Sequence, residues 1–240
     1  MQRVDAPEIL DSDACSPADV QIAMRDIGRV NRWFGGVSTT QKMVERVAQA
    51  SGTKRLSLLE VAAGSGEVPE MIQQRLVARG IFLDVTLLDR AASHLPGNNL
   101  SAVNDKGPHR TVVADAFALP FADSVFDLVS CCLFVHHLKP QEFLQFVREG
   151  LRVSRRAVLI NDLVRHPLHL ALAFAGFPLM RSRVAWLDGL TSVRRAYLPE
   201  EVRSELASAF SAETRIEISR HYLFRMGVIV WKAPGGRCSA

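Results

Sequence analysis

Residues 56–66 read Leu56-Ser57-Leu58-Leu59-Glu60-Val61-Ala62-Ala63-Gly64-Ser65-Gly66. A short apolar run ends there in a turn of small residues, and the period then changes. Glu67 to Arg79 is amphipathic at helical spacing, with Gly80 as its C-cap. Strand, glycine turn and helix are the opening unit of a parallel α/β sheet. The same rhythm continues downstream. Phe82–Leu88 ending at Asp89, Thr111–Ala114 ending at Asp115, Phe126–Cys132, and Ala157–Asn161 after a helix at Pro140–Val153 all read as strands. Strands separated by helices of about ten or more residues need parallel crossovers. Thr214–Ser219 and Arg225–Trp231 are joined by only a few residues, so they are expected to pair antiparallel. Upstream, Ala18–Phe34 and Thr40–Ala50 carry helical periodicity, and Gly35 and Gly36 stop the first of them. Residues 1–18 read as a flexible acidic leader.

The chain has 240 residues, 48% hydrophobic and 22% charged, which excludes collagen-like, disordered and disulfide-scaffold classes. Its net charge of +4, from 29 basic and 25 acidic residues, is too mild to argue for nucleic acid. The basic excess falls after residue 120. Cys15, Cys131, Cys132 and Cys238 show neither a disulfide framework nor metal-ligand spacing. The N-terminus lacks the apolar core of a signal peptide, and the longest apolar stretch, Leu168–Met180, falls short of the ~20 residues of a membrane span. A cytoplasmic protein without stable membrane insertion, monomeric or homodimeric, is expected. The fold expected is α/β: one doubly wound, Rossmann-like sheet of seven strands with the last antiparallel, an N-terminal helical extension and a helical lid insertion. One domain spans 1–240. It divides into an N-terminal helical lid (1–50), a ligand-binding core (51–164), an insertion (165–198), and a C-terminal helix with the antiparallel pair (199–240).

In open α/β sheets ligands bind beyond the carboxyl ends of the strands. Three strand ends here carry informative residues: Glu60 with the Ala62–Gly66 turn, then Asp89, then Asp115-Ala116. Small residues let a ligand approach the backbone, and a helix N-terminus offers free N–H groups. A carboxylate after the second strand suits ribose hydroxyls, and one after the third suits an adenine amino group. Singly, each has a bland explanation, since any βα turn uses glycine and an Asp often caps the next helix. Their occurrence in order on successive strands is the argument. A dinucleotide dehydrogenase would want a third glycine where Pro69 stands.

Leu58–Gly66, Asp115-Ala116-Phe117-Ala118-Leu119-Pro120-Phe121, Phe126-Asp127-Leu128-Val129 and His136-His137-Leu138 together resemble class I S-adenosylmethionine (SAM)-dependent methyltransferases. Within that class they resemble the branch that includes ubiquinone and menaquinone methyltransferases. The resemblance covers about residues 55–165 and implies SAM as cofactor. It implies that Glu60, Ala62, Ala63, Gly64, Ser65 and Gly66 serve the amino-acid end. Asp89 would take the ribose, with Arg90 beside the adenine. Asp115 and Ala116 would take the adenine edge, and Cys132 and Leu133 the methionine end. Ala62 departs from the pattern, which usually has glycine there. The two adjacent cysteines are read as packing residues rather than nucleophiles.

Methyl transfer needs positioning and a deprotonated acceptor, and His is the commonest base. His136, His137, His166 and His169 are available, with Asp162 at the end of the fifth expected strand. Of these, His137, His166 and Asp162 are expected to be catalytic. Metal-assisted catechol chemistry would need oxygen ligands where Cys131-Cys132-Leu133 stand, and the Pro-Pro-aromatic run of nucleic-acid amino methyltransferases is absent. No metal is expected. The acceptor pocket is expected from Trp33, Phe34, His136, Phe174, Arg194 and Tyr197, with Arg195 on a solvated face. The function expected is methylation, O-methylation ahead of C-methylation, of a hydrophobic phenol, quinol or polyketide-type small molecule. A non-catalytic SAM-fold binding module and a protein or RNA methyltransferase are the alternatives.

Overall fold

The computed structural model describes residues 1–11, 15–96, 103–104 and 109–233. Ser16 caps the first helix, α1 (Pro17–Trp33), by accepting from the Asp19 N–H, and Pro17 starts the helix. Helix α2 (Gly36–Ser51) follows Gly35, which sits at φ +85°. Then come β1 (Arg55–Val61), α3 (Glu67–Val77), β2 (Phe82–Asp89), a two-residue β3 (Val103–Asn104), β4 (Arg110–Val113) and β5 (Phe126–Cys132). The chain continues through α4 (Pro140–Val153), β6 (Ser154–Leu163), α5 (Pro167–Ala175), α6 (Arg183–Arg195), α7 (Pro199–Ala209), β7 (Ile216–His221) and β8 (Arg225–Trp231).

The sheet order is β3-β4-β2-β1-β5-β6-β8-β7. β4, β2, β1, β5 and β6 are parallel, and β8 enters antiparallel between β6 and β7. The seven expected strands are present, and the short β3 adds an antiparallel eighth at the edge. Alternation along the strands feeds two cores. Leu58, Leu128 and Leu159 pack with Val44 and Val47 of α2 and Ile72 and Leu76 of α3. Leu59, Val129 and Val158 face the other way, against Phe143 and Phe146 of α4 and Val202 of α7. Each such fully buried side chain contributes roughly 1.5–3 kcal/mol. At Gly150 a Cβ would lie 2.8 Å from Val158, so glycine sets how closely α4 approaches β6. Among the described residues no helix is long and apolar enough to cross a membrane, and Cys15, Cys131 and Cys132 are free thiols. Cys238 lies outside the described residues.

The N-terminal segment is not a flexible leader. Arg3 donates to the Arg195, His136 and Leu138 carbonyls and lies over the Tyr197 ring. The Val4 N–H donates to the Arg194 carbonyl, and Glu8 is 7% exposed. The two arginines that end α6 have exchanged their expected places. Arg194 is exposed, whereas Arg195 is buried and donates to the carbonyls of Ala6, His136 and His137. One residue turns the side chain by about 100° around a helix.

Glu60, near the end of β1, is fully buried against its β5 partner Ser130, whose hydroxyl donates to it. Burial pushes its carboxyl up to about 7, and the Ser130 hydrogen bond only partly offsets this. The unfolded chain loses this proton near pH 4.5 and the folded chain near 7, so stability falls as pH rises between them and levels off above. Glu60→Gln should therefore gain on the wild type by about 2–3 kcal/mol between pH 5 and 8 in urea unfolding. A difference independent of pH would contradict this. In the same assay Arg195→Ala should lose about 2–4 kcal/mol, because three buried carbonyls lose a charged donor. Arg194→Ala should stay within about 0.5 kcal/mol of the wild type.

Candidate active site

The carboxyl ends of β1, β2, β4 and β5 open onto a cleft of about 1270 Å³, larger than the roughly 300–1,000 Å³ of a single small-ligand site. Glu60, Ala62, Ala63, Gly64, Ser65, Asp89, Arg90, Asp115, Ala116, Cys132 and Leu133 line it, as the sequence expects. Gly66 does not line it. It is the N-cap of α3 at φ +72°, where a Cβ would meet Leu87 at 2.6 Å. Ala62 and Leu133 sit at φ +53° and +57°, so two non-glycine residues adopt the left-handed region where β1 and β5 end. Glycine adopts that conformation without strain, so the departure from the resembled pattern at Ala62 falls on a left-handed position.

Asp89 shapes the turn it faces. Its Oδ2 accepts from the Gly64 N–H and its Oδ1 from the Ala91 N–H, both at 2.9 Å. Each carboxylate oxygen keeps a further lone pair for a ligand. Asp115 accepts from the Phe117 N–H at 2.9 Å and is exposed toward the cleft. The Leu119-Pro120-Phe121 stretch is clamped beneath it. Arg152 donates to the Leu119 and Phe121 carbonyls, and Glu149 accepts from the Leu119 N–H. Cys132 is held 3.8 Å from Asn31 and 3.9 Å from Arg225. Burial pushes its thiol up to about 12 although Arg225 opposes the shift.

Helices α1, α5 and α6 and the N-terminal segment roof the other half. Trp33, Phe34, His136 and His137 line the cleft as expected. Five expected residues do not, Asp162 among them. Phe174 is 64% exposed and packs on Trp186, outside the cleft. Arg194 faces solvent. Tyr197 is buried and its hydroxyl donates to the Leu138 carbonyl. His166 is the N-cap of α5, its Nδ1 accepting from the Leu168 N–H and its ring stacked on Phe224. One turn further on, His169 does line the cleft. Its Nδ1 is 3.0 Å from the Val164 carbonyl, and burial depresses its pKa, so the ring is neutral.

Asp162 is 3% exposed and does not reach the cleft. It accepts from the His136 backbone N–H at 2.9 Å and pairs with His136 Nδ1 at 2.7 Å. Burial opposes charge on the His136 ring, but Asp162 and Glu8 outweigh it and raise the ring to about 9. His137 Nδ1 lies 3.1 Å from Asp11, and its Nε2 lies 3.7 Å from Glu8. Glu8, Arg195 and Arg225 had no sequence signal as site residues. Each is brought to the cleft by contacts between segments remote in the chain.

Residues 59–160 match the methyltransferase domain family. No curated protein matches the chain. Among solved structures, a SAM-dependent methyltransferase from Aquifex aeolicus is 15% identical over 91% of this chain and 100% of that one, with a TM-score of 0.55. The plantazolicin methyltransferase BpumL, in complex with a pentazolic desmethylPZN analogue and S-adenosylhomocysteine (SAH), is 12% identical over 90% and 97%, with a TM-score of 0.64. Magnesium protoporphyrin IX methyltransferase from Synechocystis, with bound SAH, is 16% identical over 82% and 84%, with a TM-score of 0.50. These likenesses establish the fold, and the domain match falls on the segment that supplies the strand ends of the cleft. Residues 59–160 thus resemble a methyltransferase domain, within a fold shared with SAM-dependent methyltransferases.

Proposed function

We propose that this enzyme transfers a methyl group to an oxygen of a hydrophobic, aromatic small molecule of phenol, quinol or polyketide type. The observation that carries the reading is the size and division of the cleft. It holds more space than one ligand needs, and its two ends differ in chemistry. The cofactor end has what SAM requires: a left-handed turn that brings backbone N–H groups close, a buried acid at Glu60, and Asp89 and Asp115 on successive strand ends. Glu60 and the 62–66 turn would hold the amino-acid end, Asp89 the ribose hydroxyls, and Asp115 and Ala116 the adenine edge. Arg90 would lie beside the adenine, with Cys132 and Leu133 along the methionine end. Bound there, SAM supplies an electrophilic methyl on a sulfonium.

The acceptor end is walled by Trp33, Phe34, Leu172, Leu179, Met180 and Trp186. Such a wall excludes water and selects flat apolar molecules. Helix α1 with α5 and α6 would form this roof, whereas α2, expected as part of a lid over 1–50, packs against the sheet. The neighbouring enzymes named for magnesium protoporphyrin IX and plantazolicin are compatible with a roof adapted to extended ring systems. His169 is the base candidate. A neutral imidazole whose Nδ1 is tied to a carbonyl keeps Nε2 as a proton acceptor, which His166, spent on capping α5, cannot offer.

Two measurements test this reading. Calorimetric titration with SAM should show Asp89→Asn binding roughly 10–100-fold more weakly than the wild type, as expected for loss of a charged hydrogen-bond acceptor. Equal affinity, or none in either protein, would sink the cofactor assignment. A panel of phenols and quinols scored for labelled-methyl uptake should yield an acceptor. On it His169→Asn should lose at least about 100-fold in turnover with SAM affinity unchanged. Retained turnover would remove His169 from the base role.

A further inference from the structure

Where the N-terminal segment crosses the 3₁₀ turn after β5, Glu8, His136 and His137 each point a ligand-type atom at one spot. These atoms all lie within 4.8 Å of one another. We propose that they bind a divalent first-row transition cation of the zinc type, with its open coordination positions facing the methyl-transfer cleft. Two imidazoles and one carboxylate are a recurrent ligand set for catalytic zinc and for non-haem iron.

The partners of the two rings support this. His136 Nδ1 is engaged by Asp162 at 2.7 Å and His137 Nδ1 by Asp11 at 3.1 Å. A carboxylate on one ring nitrogen fixes orientation and leaves the other to the metal, and here both rings have it. His136 is 2% exposed, yet its Nε2 has no hydrogen-bond partner. That nitrogen faces Glu8 Oε1 across 3.4 Å, an ion-pair distance. Ligands about 2.0 Å from a tetrahedral cation are separated by about 3.3 Å, so this edge of the shell is already formed. His137 Nε2, 3.7 Å from Glu8 Oε2, closes the shell with a small turn of a ring that is 22% exposed. Ser192 donates to Glu8 Oε1 at 2.8 Å and holds the carboxylate in place.

Three carboxylates, Glu8, Asp11 and Asp162, face the two imidazoles, and Arg195 lies 3.6 Å from Asp11. Glu8 and His137 line the cleft, so a fourth position would receive an acceptor's hydroxyl oxygen and lower its pKa, as zinc does for water. This use rests on the methyl-transfer reading above, whereas cation binding does not.

The test is a Co²⁺ titration of the full chain after treatment with a chelator, followed by visible absorption and then by displacement with Zn²⁺. The wild type should saturate at one equivalent. Glu8→Gln and His137→Gln, with folding verified by circular dichroism and thermal melting, should each bind Co²⁺ at least about 100-fold more weakly. No saturable band in the wild type, or affinity within about threefold of wild type in both variants, would overturn the proposal. SAM calorimetry on the same wild-type sample separates the two readings. Co²⁺ binding without SAM binding supports the cation site and overturns only its use in methyl transfer. SAM binding without Co²⁺ binding overturns the cation site alone.

Discussion

The hydrogen bond between His136 and Asp162 fixes what can sit above the sheet. Asp162 comes from the carboxyl end of β6 and accepts from the ring, from the His136 N–H and from the Leu163 N–H. The short turn after β5 is thereby fastened to the neighbouring strand. Its carbonyls then face outward, where Arg3 and Arg195 take them up. Two segments far apart in sequence, the N-terminal stretch and the end of α6, therefore dock on one turn. Leaving a buried charged or polar partner unmade costs on the order of 1–3 kcal/mol or more, which makes this a directional anchor as well as a stabilising one.

The rest of the roof is attached in the same manner. Asp26 of α1 accepts from the Arg181 and Ser182 N–H groups ahead of α6, and Asp188 of α6 accepts from Ile9 and Leu10. Arg225, 1% exposed, donates to Asn31 at the end of α1 at 2.7 Å. The apolar cluster beneath the roof is small, with Leu163, Val193 and Ala196 as its buried members, whereas the two cores flanking the sheet are extensive. Apolar packing tolerates sliding, but hydrogen bonds to single atoms do not. The strand-end half of the cleft thus inherits its rigidity from the sheet, and the roofed half takes its shape from a few buried polar pairs.

That difference in physical origin explains what could be read from the chain. Strand boundaries follow from apolar runs and their glycine turns, and β5, β8 and α4 have the bounds the sequence predicts. Because parallel strands present their carboxyl ends at one edge, locating Glu60, Asp89 and Asp115 at strand ends was enough to place them on one cleft. The roof obeys no such rule. His166 and His169 lie three residues apart on one short element, and only the capping role of the first separates them. Arg194 and Arg195 differ by one step of helical rotation. Glu8 sits in an acidic stretch with no periodicity, and nothing local distinguishes it from Asp5 or Asp11. The eighth strand, two residues long, is too short to leave a pattern.

A methyl-transfer cleft must also keep its own nucleophiles silent. Cys132 lines the cleft, and a thiolate at the methionine end proposed there would compete for the methyl group. Burial and the nearby carboxylates Glu60 and Asp162 raise its pKa to about 12 against the pull of Arg225, so it remains a thiol at neutral pH. Glu60, pushed up to about 7, carries less than its full charge near neutrality until a cationic partner such as an ammonium group reaches it. His169 is neutral because burial disfavours its charged form. Low dielectric therefore acts in three directions at one sheet edge: it blunts a thiol, holds a carboxyl in reserve for a cation, and preserves an imidazole as a proton acceptor. A solvent-filled cleft with the same residues would do none of these, so closing the roof over the sheet edge is itself a chemical requirement of the site.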